Sequence, residues 1–196
     1  MESKDSELIS KYLNNFKYNA FRTKIILKKY EGLIKKEQHV NKVRAIIIDD
    51  GKILVCKYSD VFMLPGGKKE NESDIEALKR ELAEELGIII DDNCNCLCEY
   101  NQIYPNYYDT KTKSIVERHN STKYYLVEKN NIIGYTERDL TDSEIKNNFE
   151  AFYIELDDLK DMLTCYSSSN EKYDFFKDEL LHVLNILSSS SKLILK

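Results

Sequence analysis

The sequence has little of what marks several common classes of protein. No apolar run approaches the ~20 residues that a membrane-spanning helix needs, and the opening "MESKDSELIS" has no apolar core of the kind a secretory signal carries. The expectation is a cytoplasmic protein without a membrane partner. Excess basic charge is also missing: the net charge is −5, which argues against general nucleic-acid binding, because phosphate backbones are held through surplus Lys and Arg. An anionic substrate would need a metal ion or a local basic patch. The five cysteines, Cys56, Cys94, Cys96, Cys98 and Cys165, are an odd number, so reduced thiols are expected. The trio in "NCNCLC" alternates, as on one face of a strand, yet no CxxC spacing or His pair completes a zinc pattern. His39, His119 and His182 are isolated in sequence and read as structural or solvated.

What is present suits one soluble domain with extensions. Of the 196 residues, 42% are hydrophobic and 32% charged, an ordinary balance for a globular chain long enough to bury a core. Residues 1–40 carry nine Lys/Arg and five Asp/Glu, a net of +4 that leaves −9 for the rest. Within that mildly basic segment, Leu8, Tyr12, Phe16, Ile26, Tyr30, Leu33 and Ile34 recur at helical spacing and predict a helical extension. "KVRAIIIDDGKILVCKY" is two apolar runs around Asp50-Gly51, a hairpin signal. "VFML" reads as a short buried strand ending at Pro65-Gly66-Gly67. Ser73 followed by Glu76 fits a capping box, Ile75, Leu78 and Leu82 form an apolar stripe, and Gly87 stops the helix. Further strands are expected in Ile88–Cys98, Ser114–Arg118, Lys123–Val127 and Phe149–Leu156. A last helix runs through Tyr173, Phe176, Leu180, Leu184 and Leu187 to a Ser-rich tail. This order suits a mixed sheet packed between helices, an α/β protein, with a helical extension at 1–40, the main domain at 41–188 and a flexible tail at 189–196.

The central helix ends in Glu81, Glu84 and Glu85, where local rules oppose them. Acidic side chains at the carbonyl end of a helix cost up to roughly 1 kcal/mol each, and like charges four apart repel by about 0.2–0.5 kcal/mol. Several local rules failing together point to a functional site. The three carboxylates fall within an arc of roughly 100° beside the apolar stripe. They are hard oxygen ligands suited to Mg²⁺ or Mn²⁺. The bland alternative is a solvated acidic face. Against it, a chain with only six glycines and two prolines places Pro65, Gly66, Gly67 and Gly87 at the edges of this one segment, where backbone can approach a ligand closely.

Reading from Gly66, five residues lead to Glu72, seven more to Arg80-Glu81-Leu82, then one to Glu84-Glu85 and one to Gly87-Ile88. This segment resembles the complete box of the Nudix hydrolases. The box covers Gly66 to Ile88; the preceding hairpin and "FYIELDDL" sit more loosely where the family's sheet would place them. The resemblance implies an α/β/α sandwich with a mixed sheet and hydrolysis of a nucleoside diphosphate linked to another moiety. That class includes nucleotide sugars, ADP-ribose, dinucleoside polyphosphates and nucleoside triphosphates. It also implies that Glu84 and Glu85 bind metal, that Glu81 is a further ligand or helps activate water, and that Glu72 and Arg80 pair to brace the loop. Gly66 and Gly67 would set the loop backbone. A general base could lie in the box or later, with Glu150 the candidate outside it.

In related proteins a proline some 15–18 residues past the box suggests ADP-ribose and a tyrosine dinucleoside polyphosphates. Here Tyr104 and Pro105 supply both, so the substrate stays open. Tyr104, with Tyr107 and Tyr108, could stack on a base, although ordinary loop tyrosines are the simpler reading. A homodimer is compatible with all of this. Two other functions compete: a Nudix-fold nucleotide sensor without turnover, which the intact box disfavours, and RNA decapping, which the absence of a basic run disfavours.

Overall fold

The turn at Asp50-Gly51 has both φ angles positive, 49° and 78°, as the tight I′ hairpin requires. In the computed structural model, which describes residues 36–59, 61–109, 111–165 and 171–194, this turn joins β1 (Lys36–Asp49) to β2 (Lys52–Tyr58). β3 (Val61–Met63) follows. The remaining elements are α1 (Asp74–Leu86), β4 (Ile88–Ile90), β5 (Asn95–Asp109), β6 (Ser114–Val127), β7 (Ile132–Tyr135), the short α2 (Asp142–Lys146), β8 (Glu150–Glu155), α3 (Leu156–Cys165) and α4 (Glu171–Ile194), with one 3₁₀ turn at Lys129–Asn131. The main sheet runs β3-β2-β1-β6-β5, with β8 on β2, and β4 pairs with β7 in a second small sheet. Ile48 lies opposite Ile53, Cys56 opposite Met63, and Ile53 opposite Ile154.

Contacts divide the described residues into two units: those of 43–98 with those of 123–194, and those of 36–42 with those of 99–122. In the larger unit, strand alternation sends Val43, Ala45 and Ile47 to one face. There they form a core with Leu54, Tyr125 and Val127 and with Ala77, Leu78 and Leu82 of α1. The next residues along point the other way. Tyr124 is buried and donates its hydroxyl to Glu179 of α4, which places α4 on the opposite face beside buried Leu180, Val183, Leu184 and Leu187. Helices therefore cover both faces of a mixed sheet, the α/β class that the order of elements predicts. In the smaller unit, Arg118 Nε donates to Gln38 Oε1 at 2.8 Å, and Gln38 Nε2 donates to Asp109 Oδ2 at 3.2 Å.

The expected helix between Leu8 and Ile34 lies outside the described residues. Lys36–Val40, read as the end of that extension, belong to β1. The Ile88–Cys98 segment is two strands, interrupted at residues 91–94, and the two segments from Ser114 to Val127 are one continuous strand. Two features differ more. The "NQIYPNYYD" stretch, read as loop, lies in β5, the last strand in the sheet order; an edge strand is where a proline, which cannot donate to a ladder, is tolerated. The Ser-rich end continues α4 as far as Ile194, where a flexible tail was expected.

Candidate active site

α1 starts as its sequence dictates. Ser73 accepts from Glu76 N–H at 3.2 Å, and Glu76 Oε2 accepts from Ser73 N–H at 2.7 Å, the reciprocal capping box. Asp74 then anchors the first turn, taking Lys69 at 2.6 Å, Lys123 at 2.7 Å and the Tyr125 hydroxyl at 3.1 Å. These partners, Lys123 foremost, hold its carboxyl down at about 2. At the far end Gly87 caps the helix with φ of 67° and donates to Ala83 O at 3.0 Å. Thr136 N–H donates to Gly87 O at 2.9 Å and Asp139 N–H to Glu84 O at 3.0 Å. These amides satisfy carbonyls at the end where the acidic cluster sits.

The glycine loop is sewn onto β1. Val43 N–H donates to Gly67 O at 3.0 Å and Ala45 N–H to Pro65 O at 2.8 Å. Gly66 has φ of 123°, and a Cβ there would lie 2.3 Å from Val43 O and 2.9 Å from Arg44 Cα; only glycine fits. At Gly67 a Cβ would meet the Glu81 carboxylate at 2.3–2.6 Å. Arg44, buried on β1, fastens the same loop by donating through Nη1 to Leu64 O and, at 3.0 Å, to Gly66 O. Sequence reasoning missed Arg44, because its partners are carbonyls some twenty residues away and no spacing marks them.

The carboxylates converge on this loop in different states. Glu85 is 6% exposed and its Oε2 accepts from Gly66 N–H at 2.8 Å. Burial pushes its carboxyl up to about 7. Glu81 is also raised, again chiefly by burial. Arg80 gathers the rest: Nη2 donates to Glu72 Oε1 at 2.7 Å and to Lys68 O at 3.1 Å, while Nη1 donates to Glu81 Oε1 at 2.8 Å and Glu84 Oε2 at 3.2 Å. Its hydrogen bonds lower the Glu72 carboxyl below the usual range. Glu72, Arg80, Glu81, Glu84, Glu85, Gly66 and Gly67 thus lie together, and the expected Glu72–Arg80 brace is formed. One guanidinium is thus shared between three carboxylates, while Glu85, four residues from Glu81, lies outside that set and the Glu81 charge helps to raise its carboxyl.

Other candidates lie outside this loop and helix. Glu150 is the exposed first residue of β8, opposite Lys57. Tyr104 belongs to the smaller unit, where its hydroxyl donates to Gln102 Oε1 at 2.9 Å and its ring stands edge-on to Tyr107. Glu144 on α2, which sequence reading passed over, adds a charge that raises the Glu85 carboxyl further. Among the cysteines, burial holds the Cys94 and Cys98 thiols up at about 11, which disfavours thiolate chemistry at neutral pH.

The solved structures similar to this chain include a MutT NUDIX hydrolase from Burkholderia pseudomallei (23% identity, 72% of this chain and 97% of that chain, TM-score 0.47). Others are the E. coli ORF135 protein (18%, 82% and 96%, TM-score 0.49) and an ADP-ribose pyrophosphatase from Streptococcus suis (18%, 60% and 75%, TM-score 0.39). No relative is found among the curated proteins. The family model of the NUDIX domain matches residues 38–175, well over half of the 196 and the whole of the loop and helix just described. The chain belongs to the NUDIX domain family.

Proposed function

We propose that this Nudix pyrophosphohydrolase cleaves the pyrophosphate linkage of a nucleoside diphosphate joined to another moiety, using Mg²⁺ or Mn²⁺ held by Glu81, Glu84 and Glu85. The observation that carries the reading is the convergence of Glu85 and Glu81 on the Gly66-Gly67 backbone, both with raised carboxyl pKa values, and the link from Glu81 to Glu84 through Arg80. The donor set fits the ion: all are hard oxygens, and the guanidinium between Glu81 and Glu84 already marks a place where positive charge is stabilised. A divalent ion bound there would neutralise phosphate oxygens and make water more acidic.

The chain's own groups supply the rest. Arg44 and the β1 amides hold the loop rigid, so that Glu85 and the ion's other ligands keep their spacing. Glu72 keeps Arg80 beside the helix. Glu81, partly desolvated next to Gly67, is assigned as the acceptor of the proton lost by the attacking water; Glu150, at an exposed strand start, is the alternative. The nucleotide itself is a small molecule rather than nucleic acid, in keeping with the net charge of −5.

The experiment is a panel of nucleoside triphosphates, ADP-ribose, nucleotide sugars and dinucleoside polyphosphates with Mg²⁺ or Mn²⁺, products identified by mass. Turnover of at least one class, abolished by chelator and restored by the ion, is expected. Tight nucleotide binding with no cleavage of any member would favour a sensor.

A further inference from the structure

Glu37 and His39 lie two apart on β1, and Glu117 and His119 two apart on β6, its neighbour in the sheet. Strand alternation gives each pair a common face. His119 Nε2 is 2.7 Å from Glu117 Oε1 and His39 Nε2 is 3.5 Å from Glu37 Oε2, while the two imidazole centroids are 5.0 Å apart. The histidines that look isolated in sequence are therefore neighbours. One ligand atom from each of Glu37, Glu117 and His119 lies within 4.8 Å of the others.

A second observation adjoins this cluster. A cavity of about 350 Å³ is lined by His39, Asn41, Gln102, His119, Asn120 and Ser121 among others. The space is ample for water.

We infer that Glu37, Glu117 and His119, with His39 beside them, form a binding site for a zinc-class divalent ion, separate from the proposed catalytic carboxylates. The mixture of imidazole and carboxylate suits Zn²⁺, which takes His nitrogen and Glu oxygen at about 2.0–2.2 Å, whereas Mg²⁺ prefers oxygen alone. Tetrahedral donors at that distance stand roughly 3.3–3.5 Å apart, so the His119–Glu117 pair, 2.7 Å apart, opens by about 0.7 Å and the widest separation in the group closes by up to about 1.5 Å. The larger movement falls to the exposed side: the Glu37 and His39 side chains are 59% and 65% exposed, while Glu117 and His119 are 13% and 25% exposed. The β1 pair closes onto the more buried β6 pair. Closure would staple the two strands together.

The test is equilibrium dialysis of the full chain against Zn²⁺ in excess Mg²⁺, with metal counted by mass spectrometry and imidazole resonances followed by NMR. One zinc per chain is expected, shifting the His119 and His39 signals and persisting in the Glu84→Gln/Glu85→Gln variant. Glu117→Gln with His119→Gln should weaken binding at least tenfold. Glu37→Gln, at an exposed position that cannot unfold the chain, should weaken it at least threefold. Zinc uptake unchanged in both Glu37→Gln and the double variant, or lost in the Glu84→Gln/Glu85→Gln variant alone, overturns the site; neither result bears on pyrophosphate cleavage, which is measured separately.

Discussion

Glu85 Oε2 stands 2.8 Å from the amide nitrogen of Gly66, so one buried carboxylate ties the end of α1 to the loop that precedes it. Its carboxyl is raised from 4.5 to about 7 by burial. A raised folded-state value means that the folded protein holds the proton more tightly. This stability is present in full below about 4.5 and is lost as pH rises through about 7.

In chelator, wild type should therefore lose roughly 2–3 kcal/mol from this group between pH 5 and pH 8, by the ordinary free-energy value of a pKa unit. Glu85→Gln keeps an acceptor for Gly66 N–H but no charge, so its stability should lack that slope. At pH 8 it should be more stable than wild type by roughly 1–3 kcal/mol. Added Mg²⁺ should narrow the gap, because only wild type gains from binding the ion in its folded state. Urea unfolding at the two pH values, with chelator and with Mg²⁺, checks each part. Turnover of Glu85→Gln should fall at least a hundredfold, about 2.7 kcal/mol of barrier; near-wild-type turnover would sink the metal assignment.

The two loop glycines should behave differently. Gly66→Ala sets a Cβ against β1 backbone in a left-handed conformation, and should cost roughly 3 kcal/mol or more. At Gly67→Ala the nearest atoms to the new Cβ are those of the Glu81 carboxylate, which can swing aside. It should change stability by less than about 1 kcal/mol while displacing Glu81 and lowering turnover at least tenfold. Thermal unfolding beside a turnover assay separates the two, and equal loss of stability in both would contradict the geometry.

Arg80→Lys should not rescue Arg80→Ala. One compact ammonium cannot reach Glu72, Glu81, Glu84 and the Lys68 carbonyl as the planar fork does. Either change should lose roughly 1–2 kcal/mol in chelator, a modest figure because the side chain is 31% exposed. The loss should shrink in saturating Mg²⁺. A calorimetric scan with and without the ion provides the comparison.

Asp74 titrates in the opposite sense to Glu85. Its carboxyl lies at about 2, well below 3.8, so its stabilising effect is present above about 3.8 and disappears as pH falls through about 2. Asp74→Asn should cost roughly 1 kcal/mol at pH 7 and progressively less below pH 3.8. A difference that stays constant down to pH 2 would show that Lys69 and Lys123 do not act through charge.

The sequence was most legible where a residue acts on near neighbours. Ser73 and Glu76 cap each other three residues apart, Asp50-Gly51 turns on its own φ angles, and the glutamates share a face because of helical period. Legibility failed where partners come from afar. Arg44 binds carbonyls across the fold, and His39 meets His119 only because β1 lies beside β6. β7 was missed because "IIGY" has only four residues and a glycine, and it is a strand through its pairing with β4. β5 was read as loop around Tyr104 because an edge strand with proline and asparagine loses the apolar alternation on which strand recognition rests.

The amides of Thr136 and Asp139 reach back to the carbonyls of Gly87 and Glu84, and a Cβ on Gly87 would collide with Thr136 O at 2.4 Å. The connection between β7 and α2 is thus a splint on the acidic tip of α1 rather than slack between elements. Homologues and engineered versions should accept sequence drift there more readily than changes of length. A residue gained or lost between Thr136 and Asp139 slides both donors out of phase with the helix end, and so re-aims the Glu84 and Glu85 side chains without touching either.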